Sequence, residues 1–272
     1  MMHKIIAAIL LISLFCGCSK NVKITKNYSN FAVFDAVEKG DGELLMNVIK
    51  SGANVNENKD GESPLFRAIW NGNVNFVKVL VDNGADVNRG NHINITPLHF
   101  VARVSPKRVS FDDGLEMTKI LIKNGADVNK PDVSNCGPVF EAVSSKNLAI
   151  AKLLIENGAV IDARSNKAKN TPLNSAVTDK DNNEMVKFLL DAGAKVDYPG
   201  YKNETAIFYA IRWKNFVAIK LLVEKGADLN WRNSDNLTPL DLIKSFNDKK
   251  YPQEIVKFLR APLKIPPITT PL

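Results

Sequence analysis

The hexapeptide NGADVN occurs twice in the chain, at Asn83–Asn88 and at Asn124–Asn129. Four variants keep its Gly-Ala pair, and these are SGANVN at 51–56, NGAVID at 157–162, AGAKVD at 192–197 and KGADLN at 225–230. Successive glycines of this motif are 32, 41, 33, 35 and 33 residues apart. Because a regular period near 33 residues is the mark of an internal repeat, the chain is predicted to be built from copies of one unit.

A second motif recurs in phase with the first. Its copies are SPLFRA from Ser63, TPLHFV from Thr96, GPVFEA from Gly137, TPLNSA from Thr171, TAIFYA from Thr205 and TPLDLI from Thr238. Thr or Ser before Pro is typical of a helix start, because the hydroxyl accepts a hydrogen bond from a free backbone N–H and Pro at the first helical position needs none of its own. Gly137 lacks the hydroxyl and Thr205 is followed by Ala206, so these two helices are predicted to begin more weakly.

A second helix is predicted in each unit from apolar segments such as FVKVLV at 76–81 and IAKLLI at 150–155. The glycine of the hexapeptide then ends this helix in a left-handed conformation that other residues adopt at a cost. In the first helices Leu65 and Ala68 are one turn apart and face the same side. A single pair of helices cannot bury its apolar face alone, so the pairs are predicted to stack.

Each unit resembles the ankyrin repeat, in which a T-P-L-H-x-A helix start, a short turn and an apolar helix precede G-A-D-x-N. The resemblance covers residues 29–260 and implies an all-α ankyrin-repeat solenoid. It would consist of stacked helix-turn-helix units with β-hairpin loops, with about six to seven repeats including degenerate ends. The resemblance also implies that His99, at the histidine of the motif, hydrogen-bonds neighbouring backbone and stabilises the stack. A Pro-rich tail is expected at 261–272.

The N-terminal segment is predicted to be a lipoprotein signal peptide, residues 1–17. Lys4 precedes the uncharged apolar run Ile5–Phe15, which is too short to span a bilayer as a helix. Gly17 stands directly before Cys18, and this arrangement resembles the lipobox of bacterial lipoproteins, although Phe15 replaces the usual Leu. An ordinary signal peptide or an uncleaved anchor is the alternative.

The lipobox resemblance implies that Cys18 is lipidated and that residues 18–28 form a tether. Ser19 after the cysteine implies a periplasmic location on the outer membrane. Cleavage would leave 35 basic and 29 acidic residues, a net charge of +6. Cys136 would be the remaining thiol, so an intramolecular disulfide is not expected.

Residues that the repeat pattern does not require are the candidates for partner binding. The resemblance places six of them on first helices facing a concave groove, namely Trp70, Phe100, Arg103, Tyr209, Arg212 and Trp213. Aromatic and Arg side chains are frequent anchors of interfaces. The alternative is that some of these side chains pack on neighbouring repeats or on each other.

Two other departures carry alternatives as well. The segment 103–116 holds eight extra residues between two helices, and it is either a tolerated surface insertion or a partner-contacting loop. Lysines recur on the second helices at 78, 119, 152, 187, 220 and 257. They are expected on a solvated convex face, partly neutralised by acidic residues four positions later, rather than in a nucleic-acid or lipid-binding stripe.

No catalytic chemistry is predicted. The sequence has three histidines, no Cys/His cluster with metal spacing, no Gly-rich phosphate loop and no GxSxG. We therefore expect a non-enzymatic protein with no catalytic residue, no metal and no cofactor, which is monomeric and does not bind nucleic acid.

The resemblance implies a lipid-anchored module of the bacterial envelope that binds a protein partner through the concave groove and the hairpin tips. One specific hypothesis is an immunity protein that neutralises a secreted antibacterial toxin such as a phospholipase. The alternatives are an envelope scaffold or stress-protective protein that supports a periplasmic enzyme, and a host-directed ankyrin effector. A lipid anchor would argue against the effector, because it keeps the protein on the producing cell.

Overall fold

The computed structural model describes residues 29–103, 108–166, 168–246 and 253–260. The chain divides into two units, Met1–Asn30 and Phe31–Leu272, and every described helix belongs to the second. The predicted signal peptide, the lipidation site Cys18, the tether 18–28 and the Pro-rich tail 261–272 lie outside the described residues.

The described part of the second unit is a series of helix pairs. Its α-helices are α1 (Ala32–Lys39), α2 (Gly42–Lys50), α3 (Pro64–Trp70), α4 (Val74–Asp82), α5 (Pro97–Arg103), α6 (Phe111–Lys123), α7 (Pro138–Ser144), α8 (Leu148–Glu156), α9 (Pro172–Ala176), α10 (Asn183–Asp191), α11 (Ala206–Arg212), α12 (Phe216–Glu224), α13 (Pro239–Ser245) and α14 (Gln253–Arg260). Short 3₁₀ helices occur at Lys180–Asn182 and Tyr201–Asn203. The predicted all-α solenoid of helix pairs is confirmed.

Each first helix of a pair packs on the first helix of the next pair, and among the second helices α4 packs on α6, α6 on α8 and α10 on α12. We call α3, α5, α7, α9, α11 and α13 the inner helices, and α4, α6, α8, α10 and α12 the outer helices. The core runs between these two layers as a continuous file of buried apolar side chains, including Leu65, Leu98, Leu154 and Leu222. Each repeat therefore depends on its neighbours for most of its burial.

The starts of the inner helices follow the predicted capping chemistry. The Ser63 hydroxyl accepts a hydrogen bond from the Phe66 backbone N–H (3.3 Å), and the Thr171 hydroxyl accepts one from Asn174 (3.2 Å). Gly137 provides no side-chain cap, which agrees with the weaker start predicted there. Thr205 provides none either, although it carries a hydroxyl, and this buried hydroxyl has no hydrogen-bond partner among the described residues. The repeat pattern did not predict that asparagines begin several outer helices, where Asn73, Asn147 and Asn215 cap by the same geometry.

The hexapeptide carries out two structural tasks. Its glycine ends the outer helix with a positive φ, +87° at Gly84 and +84° at Gly125, as predicted. Its last asparagine joins one repeat to the next. The Asn88 amide donates to the Gly125 carbonyl (2.8 Å), and its oxygen accepts from the Asp127 N–H (2.7 Å).

The same pair of bonds occurs at two other junctions, where Asn56 and Asn129 take the place of Asn88. Asp162 and Asp197 occupy this position in the next two repeats and accept only from the backbone N–H groups of Lys195 and Asp228. These last two junctions therefore lack the amide donor that the asparagines supply.

The predicted β-hairpin loops are tight turns rather than paired strands. Among the described residues there is no named strand, and one isolated antiparallel bridge joins Lys59 to Glu62. Most turns are closed by two backbone hydrogen bonds, such as Asn91 N–H to the Ile95 carbonyl (3.0 Å) and Asn94 N–H to the Asn91 carbonyl (2.8 Å). Neighbouring turns are also joined, since the Ser234 N–H donates to the Lys202 carbonyl (2.8 Å).

Most of the described insertion forms helix rather than loop. Helix α6 has 13 residues where α4 and α8 each have nine, and it begins at Phe111 with Ser110 as its N-cap. Val109 is buried. Within the described part of the segment 103–116, Val109 and Gly114 are therefore packed onto the repeat stack, whereas most of the other side chains are exposed.

Candidate protein-binding surface

The six candidate residues occupy three positions on one side of the inner helices, and Trp213 is the residue directly after the end of α11. Trp70, Arg103 and Arg212 stand six residues after the first residue of their helices, Phe100 and Tyr209 three residues after it, and Trp213 seven. Because successive inner helices pack side by side, equivalent positions lie along one face of the stack. We call this the inner face.

The first group on the inner face comprises Trp70, Phe100 and Arg103. The rings of Trp70 and Phe100 stack with centroids 5.7 Å apart, and Phe66 meets Phe100 edge-on at 5.4 Å. The Arg103 guanidinium lies 5.9 Å from the Phe100 centroid. Trp70 keeps 39% of its surface exposed. These side chains pack on each other, as the alternative interpretation held, and still present an aromatic surface to solvent.

The insertion adds to this group a residue that the repeat pattern did not predict. The Arg108 guanidinium lies 3.7 Å from the Trp70 ring centroid, close enough for a cation–π interaction. Arg108 falls outside the repeat pattern, so no periodic signal could place it. The insertion therefore brings positive charge to the aromatic end of the inner face.

The second group comprises Tyr209, Arg212 and Trp213 near the end of α11. Trp213 is 58% exposed, so its indole is not part of the core. The Tyr209 hydroxyl donates to the Asn170 side-chain oxygen at 2.7 Å, which joins α11 to an adjacent turn. Burial, and then the nearby Glu204 carboxylate, raise the pKa of Tyr209 above its ordinary value. Tyr209 is therefore a neutral hydrogen-bond donor at physiological pH.

Arg212 forms a two-pronged ion pair with Glu204. Its Nε donates to one carboxylate oxygen (3.0 Å) and its Nη2 to the other (2.5 Å), while Asn233 donates to the same carboxylate (3.1 Å). Glu204 is buried, and the hydrogen bond to it raises the pKa of Arg212. A buried carboxylate needs such a partner, so much of the hydrogen-bonding capacity of Arg212 serves the fold.

The two groups are separated on the inner face by smaller and polar residues of α7 and α9. Glu141 and Ser144 of α7, Ser175 of α9 and Thr178, two residues after the end of α9, occupy the corresponding positions. Burial raises the pKa of Glu141, an effect that the nearby Arg103 opposes. The six predicted residues therefore form two aromatic and Arg-bearing groups with a polar stretch between them.

His99 has the structural role that the resemblance implied. Its Nδ1 lies 2.8 Å from the Thr96 hydroxyl and 3.2 Å from the Thr96 backbone nitrogen, and its Nε2 lies 2.9 Å from the Cys136 carbonyl of the next repeat. Because the carbonyl only accepts, Nε2 carries the proton of a neutral ring. Burial lowers the pKa of His99, which favours that neutral form.

The described residues contain no cluster of three or more His, Cys, Asp or Glu side chains placed to hold a metal ion. Burial raises the pKa of Cys136 to about 11, so its thiol is protonated at neutral pH and is a poor nucleophile. Within the same residues, no helix has the length and apolar character needed to cross a membrane.

The lysines predicted on a solvated face lie on the outer helices, and those at 78, 119, 152, 187 and 220 are exposed. Their expected ion pairs four residues along the helix do not form within the described residues. Asp191 instead pairs with Lys225, the residue directly after α12 in the next repeat, at 2.6 Å, and Lys119 pairs with Glu116 at 3.7 Å. Exposed pairs of this kind contribute little stability.

Comparisons with known proteins agree with the repeat architecture. The sequence model of the family described as "Ankyrin repeats (3 copies)" matches residues 4–91, 98–200 and 173–265. A putative ankyrin repeat protein of Acanthamoeba polyphaga mimivirus is 30% identical over 175 residues, which cover 64% of this chain and 53% of that protein. Putative ankyrin repeat protein FPV222 of Fowlpox virus is 31% identical over 146 residues, 53% of this chain and 18% of the relative. The chain thus spans about half or less of the length of these two relatives.

Two solved structures share the fold. The ankyrin repeat domain of human ASB11 superposes with a TM-score of 0.69 at 28% identity, covering 85% of this chain and 98% of that domain. The ankyrin repeat domain of Bcl-3, described as a unique member of the IkappaB protein family, gives a TM-score of 0.73 at 23% identity and covers 86% of this chain and 100% of its own.

Proposed function

Since the chain belongs to the ankyrin-repeat family, whose members are generally non-enzymatic protein-interaction modules, we propose that it binds a protein partner through the inner face while a lipid on Cys18 holds it in the bacterial envelope. The observation that carries the binding site is the exposure of Trp213 and Trp70 (58% and 39%) on the inner face. Large aromatic side chains that remain exposed beside Arg are frequent centres of protein interfaces.

The two groups have different parts in this proposal. Trp213 is the more exposed indole and inserts into a pocket of the partner. Trp70, backed by Phe100 and flanked by Arg108, offers a flatter surface with a positive edge. The polar side chains of α7 and α9 lie between these anchors and form hydrogen bonds at the rim, which contribute specificity more than affinity.

The specific form of the proposal is an immunity protein that binds and neutralises a secreted antibacterial toxin in the periplasm. Three features support it together: the lipobox-like segment before Cys18, the protein-binding fold, and the absence from the sequence of motifs for catalysis. Neutralisation by binding requires only that the inner face covers a functional surface of the toxin.

The binding claim is tested by affinity capture from envelope and secreted fractions, with wild-type protein and two sets of variants. Trp70→Ala and Trp213→Ala remove the proposed anchors, and Lys187→Gln and Lys220→Gln are controls on the outer helices. We expect one captured protein to be lost with the tryptophan variants and retained with the lysine variants. Equal capture by all four variants would contradict a role for the inner face.

The anchor and the immunity claim need separate experiments. Cys18→Ala is expected to abolish labelling by radioactive palmitate and to release the protein from the membrane fraction. If the captured protein is a toxin, its expression in the periplasm of a laboratory bacterium arrests growth, and co-expression of the wild-type chain restores it. A captured protein that is harmless to the cell would contradict the immunity role and leave the binding claim intact.

A further inference from the structure

A surface cavity of about 460 Å³ lies between three consecutive turns that join outer to inner helices. Arg164 and Lys169 come from the turn between α8 and α9, Tyr201 and Lys202 from the turn between α10 and α11, and Ser234 from the turn between α12 and α13. We call it the tip cavity. Its volume is within the range of pockets that bind small ligands or a few side chains of a partner.

The lining of the tip cavity is positively charged. Arg164, Lys169 and Lys202 contribute to it, and no Asp or Glu is among the described residues that line it. Lys202 forms a long ion pair of 3.7 Å with Asp235, and about half of the Asp235 side chain is exposed to solvent. Lys169 forms no ion pair with any described residue. The positive charge of the cavity is therefore largely uncompensated.

Arg164 is held in place by the turns around it. Its Nη2 donates to the Pro199 carbonyl (2.9 Å), its Nε to the Lys169 carbonyl (3.2 Å), and its guanidinium lies 5.0 Å from the Tyr198 ring centroid. A side chain fixed by three contacts loses little further conformational freedom when a ligand binds.

The wall of the cavity at Gly200 is equally constrained. A Cβ atom at this position would lie 2.4 Å from the Asn170 side-chain oxygen and 2.8 Å from the Tyr209 hydroxyl, so only glycine allows the backbone to approach so closely. Asn170 and Tyr209 are hydrogen-bonded to each other at 2.7 Å. The turn that contains Gly200 therefore packs against two side chains that hold each other in place.

The charge is specific to this end of the repeat stack. The turn 163–170 contains three basic residues and no acidic one in the sequence. In the turn before α3, by contrast, Lys59 is neutralised by Asp35 at 2.9 Å and lies 3.7 Å from Glu38. The basic character of the tip cavity is therefore not a general property of the turns.

We propose that the tip cavity binds an acidic segment of the protein partner, with Asp or Glu carboxylates at Lys169, Lys202 and the free edge of Arg164. This inference rests on the proposed function and specifies the chemistry of its partner. Tyr201, which is 59% exposed, provides an aromatic surface at the rim for the apolar part of the same segment.

Carboxylates along a peptide fit this arrangement better than a phosphate group does. Arg164 already gives its Nε–H and one Nη2–H to backbone carbonyls, so only its Nη1/Nη2 edge is left for a ligand group, whether carboxylate or phosphate. The two lysines act as point charges on separate turns and suit carboxylates that are spread along a chain.

The experiment uses the chain from Ser19 onward and a fluorescent Glu-rich peptide that contains one Leu, with its Gln counterpart as the uncharged probe. Lys169→Asn and Lys202→Asn remove the charges, and asparagine tolerates the positive φ at both sites (+50° and +54°). Lys187→Gln and Lys220→Gln are the matched controls, because each removes one lysine charge from an outer helix. Anisotropy titrations at two salt concentrations measure the affinities.

We expect the Glu-rich peptide to bind and the Gln peptide not to. Each cavity variant should weaken binding about two- to fivefold, as expected for one solvent-accessible ion pair, while the outer-helix variants should have little effect. Binding should also weaken as salt rises.

Three results would overturn the proposal: no binding of the Glu-rich peptide, equal weakening by cavity and outer-helix variants, or stronger binding of a phosphoserine peptide accompanied by competition from inorganic phosphate. The last result would identify a phosphate site. None of the three depends on the Trp70 and Trp213 capture experiment, so the two claims can fail separately.

Discussion

At the scale of single residues, the last position of the hexapeptide decides how two repeats are joined. Asn88 both donates to and accepts from the next repeat, whereas Asp197 accepts only, at 3.1 Å from the Asp228 N–H. Burial, the largest effect, raises the pKa of Asp197 above its ordinary value near 3.8, and the charge of Asp228 acts in the same direction. The Asp197 junction is thus weaker than the asparagine junctions for two separate reasons.

Asp197→Asn is expected to stabilise the protein by about 1 kcal/mol, the usual net contribution of one added hydrogen bond. The gain comes from an amide that can donate to the Gly226 carbonyl and from the loss of a partly buried charge. Urea unfolding of both proteins at pH 7.5 measures it. The reverse change at an intact junction, Asn129→Asp, is the matched control and should destabilise.

The pH dependence of that gain follows from the sign of the pKa shift. Because the folded state raises the pKa of Asp197, folding favours its protonated form, and the ionised form costs stability at pH above the raised pKa. As pH falls through the raised pKa toward 3.8, this cost disappears from the wild-type protein. The advantage of Asp197→Asn should therefore be smaller at pH 4 than at pH 7.5, and an advantage that grows on acidification would contradict the account.

His99 is expected to make the stability of the protein depend on pH in a higher pH range than Asp197 does. Burial lowers its pKa below 6.5, so its contribution to stability is fully present above pH 6.5 and is lost as pH falls through the lowered folded value. His99→Gln should cost about 1–3 kcal/mol at pH 7.5, because buried partners lose hydrogen bonds. Part of the wild-type loss between pH 7.5 and pH 5.5 should be absent in this variant. Parallel losses in both proteins would show that His99 does not titrate as described.

At the scale of helices and turns, the structure could be predicted from the sequence wherever it depends only on neighbouring residues. The Thr-Pro starts and the glycine ends correspond to caps whose chemistry depends on neighbouring residues alone, so their positions could be predicted from spacing. The positions of Arg108 and Val109, just before α6, could not be predicted, because only packing shows that Val109 is buried and that Arg108 contacts Trp70. Tertiary packing of the turns also determines two pairs that the sequence could not predict, Arg212 with Glu204 and Tyr209 with Asn170.

Alanine substitution should change stability in opposite directions at two glycines that do not end an outer helix. Gly200→Ala places a methyl group against Asn170 and Tyr209 and should destabilise by about 1–3 kcal/mol, the usual range for overpacking. Gly114→Ala in α6 meets only a methyl carbon of Ile150 at 3.8 Å and should stabilise by about 0.5–1 kcal/mol through helix propensity. Thermal unfolding of both variants measures the change in stability. If Gly200→Ala left the stability unchanged, the close contact of Gly200 with Asn170 and Tyr209 would be contradicted.

At the scale of the whole described stack, stability should follow position along the series of repeats. Leu154 lies in the middle, is fully buried, and has neighbouring repeats on both sides. Leu154→Ala should therefore cost about 2–5 kcal/mol, and Ile255→Ala in the last described helix should cost less. Chemical denaturation of the two variants compares them, and equal losses would argue against a stack stabilised by nearest neighbours.

The binding surface could be predicted only in part from sequence. Repeat phase placed all six candidate residues on the inner helices, but it could not show that they form two separated groups. It also could not distinguish the exposed Trp213 from Arg212, whose charge is engaged by a buried carboxylate. Exposure and pairing depend on contacts between repeats, which no single repeat encodes.

The central claim is that the inner face binds the partner, and the most direct measurement is a calorimetric titration of the captured partner with wild-type protein, Trp213→Ala and Lys187→Gln. We expect Trp213→Ala to lose at least about 2 kcal/mol of binding free energy, roughly thirtyfold in affinity, with unchanged circular dichroism because the indole is exposed. Lys187→Gln should bind like the wild type. If Trp213→Ala binds normally and Lys187→Gln does not, the partner binds the outer helices and the account is wrong.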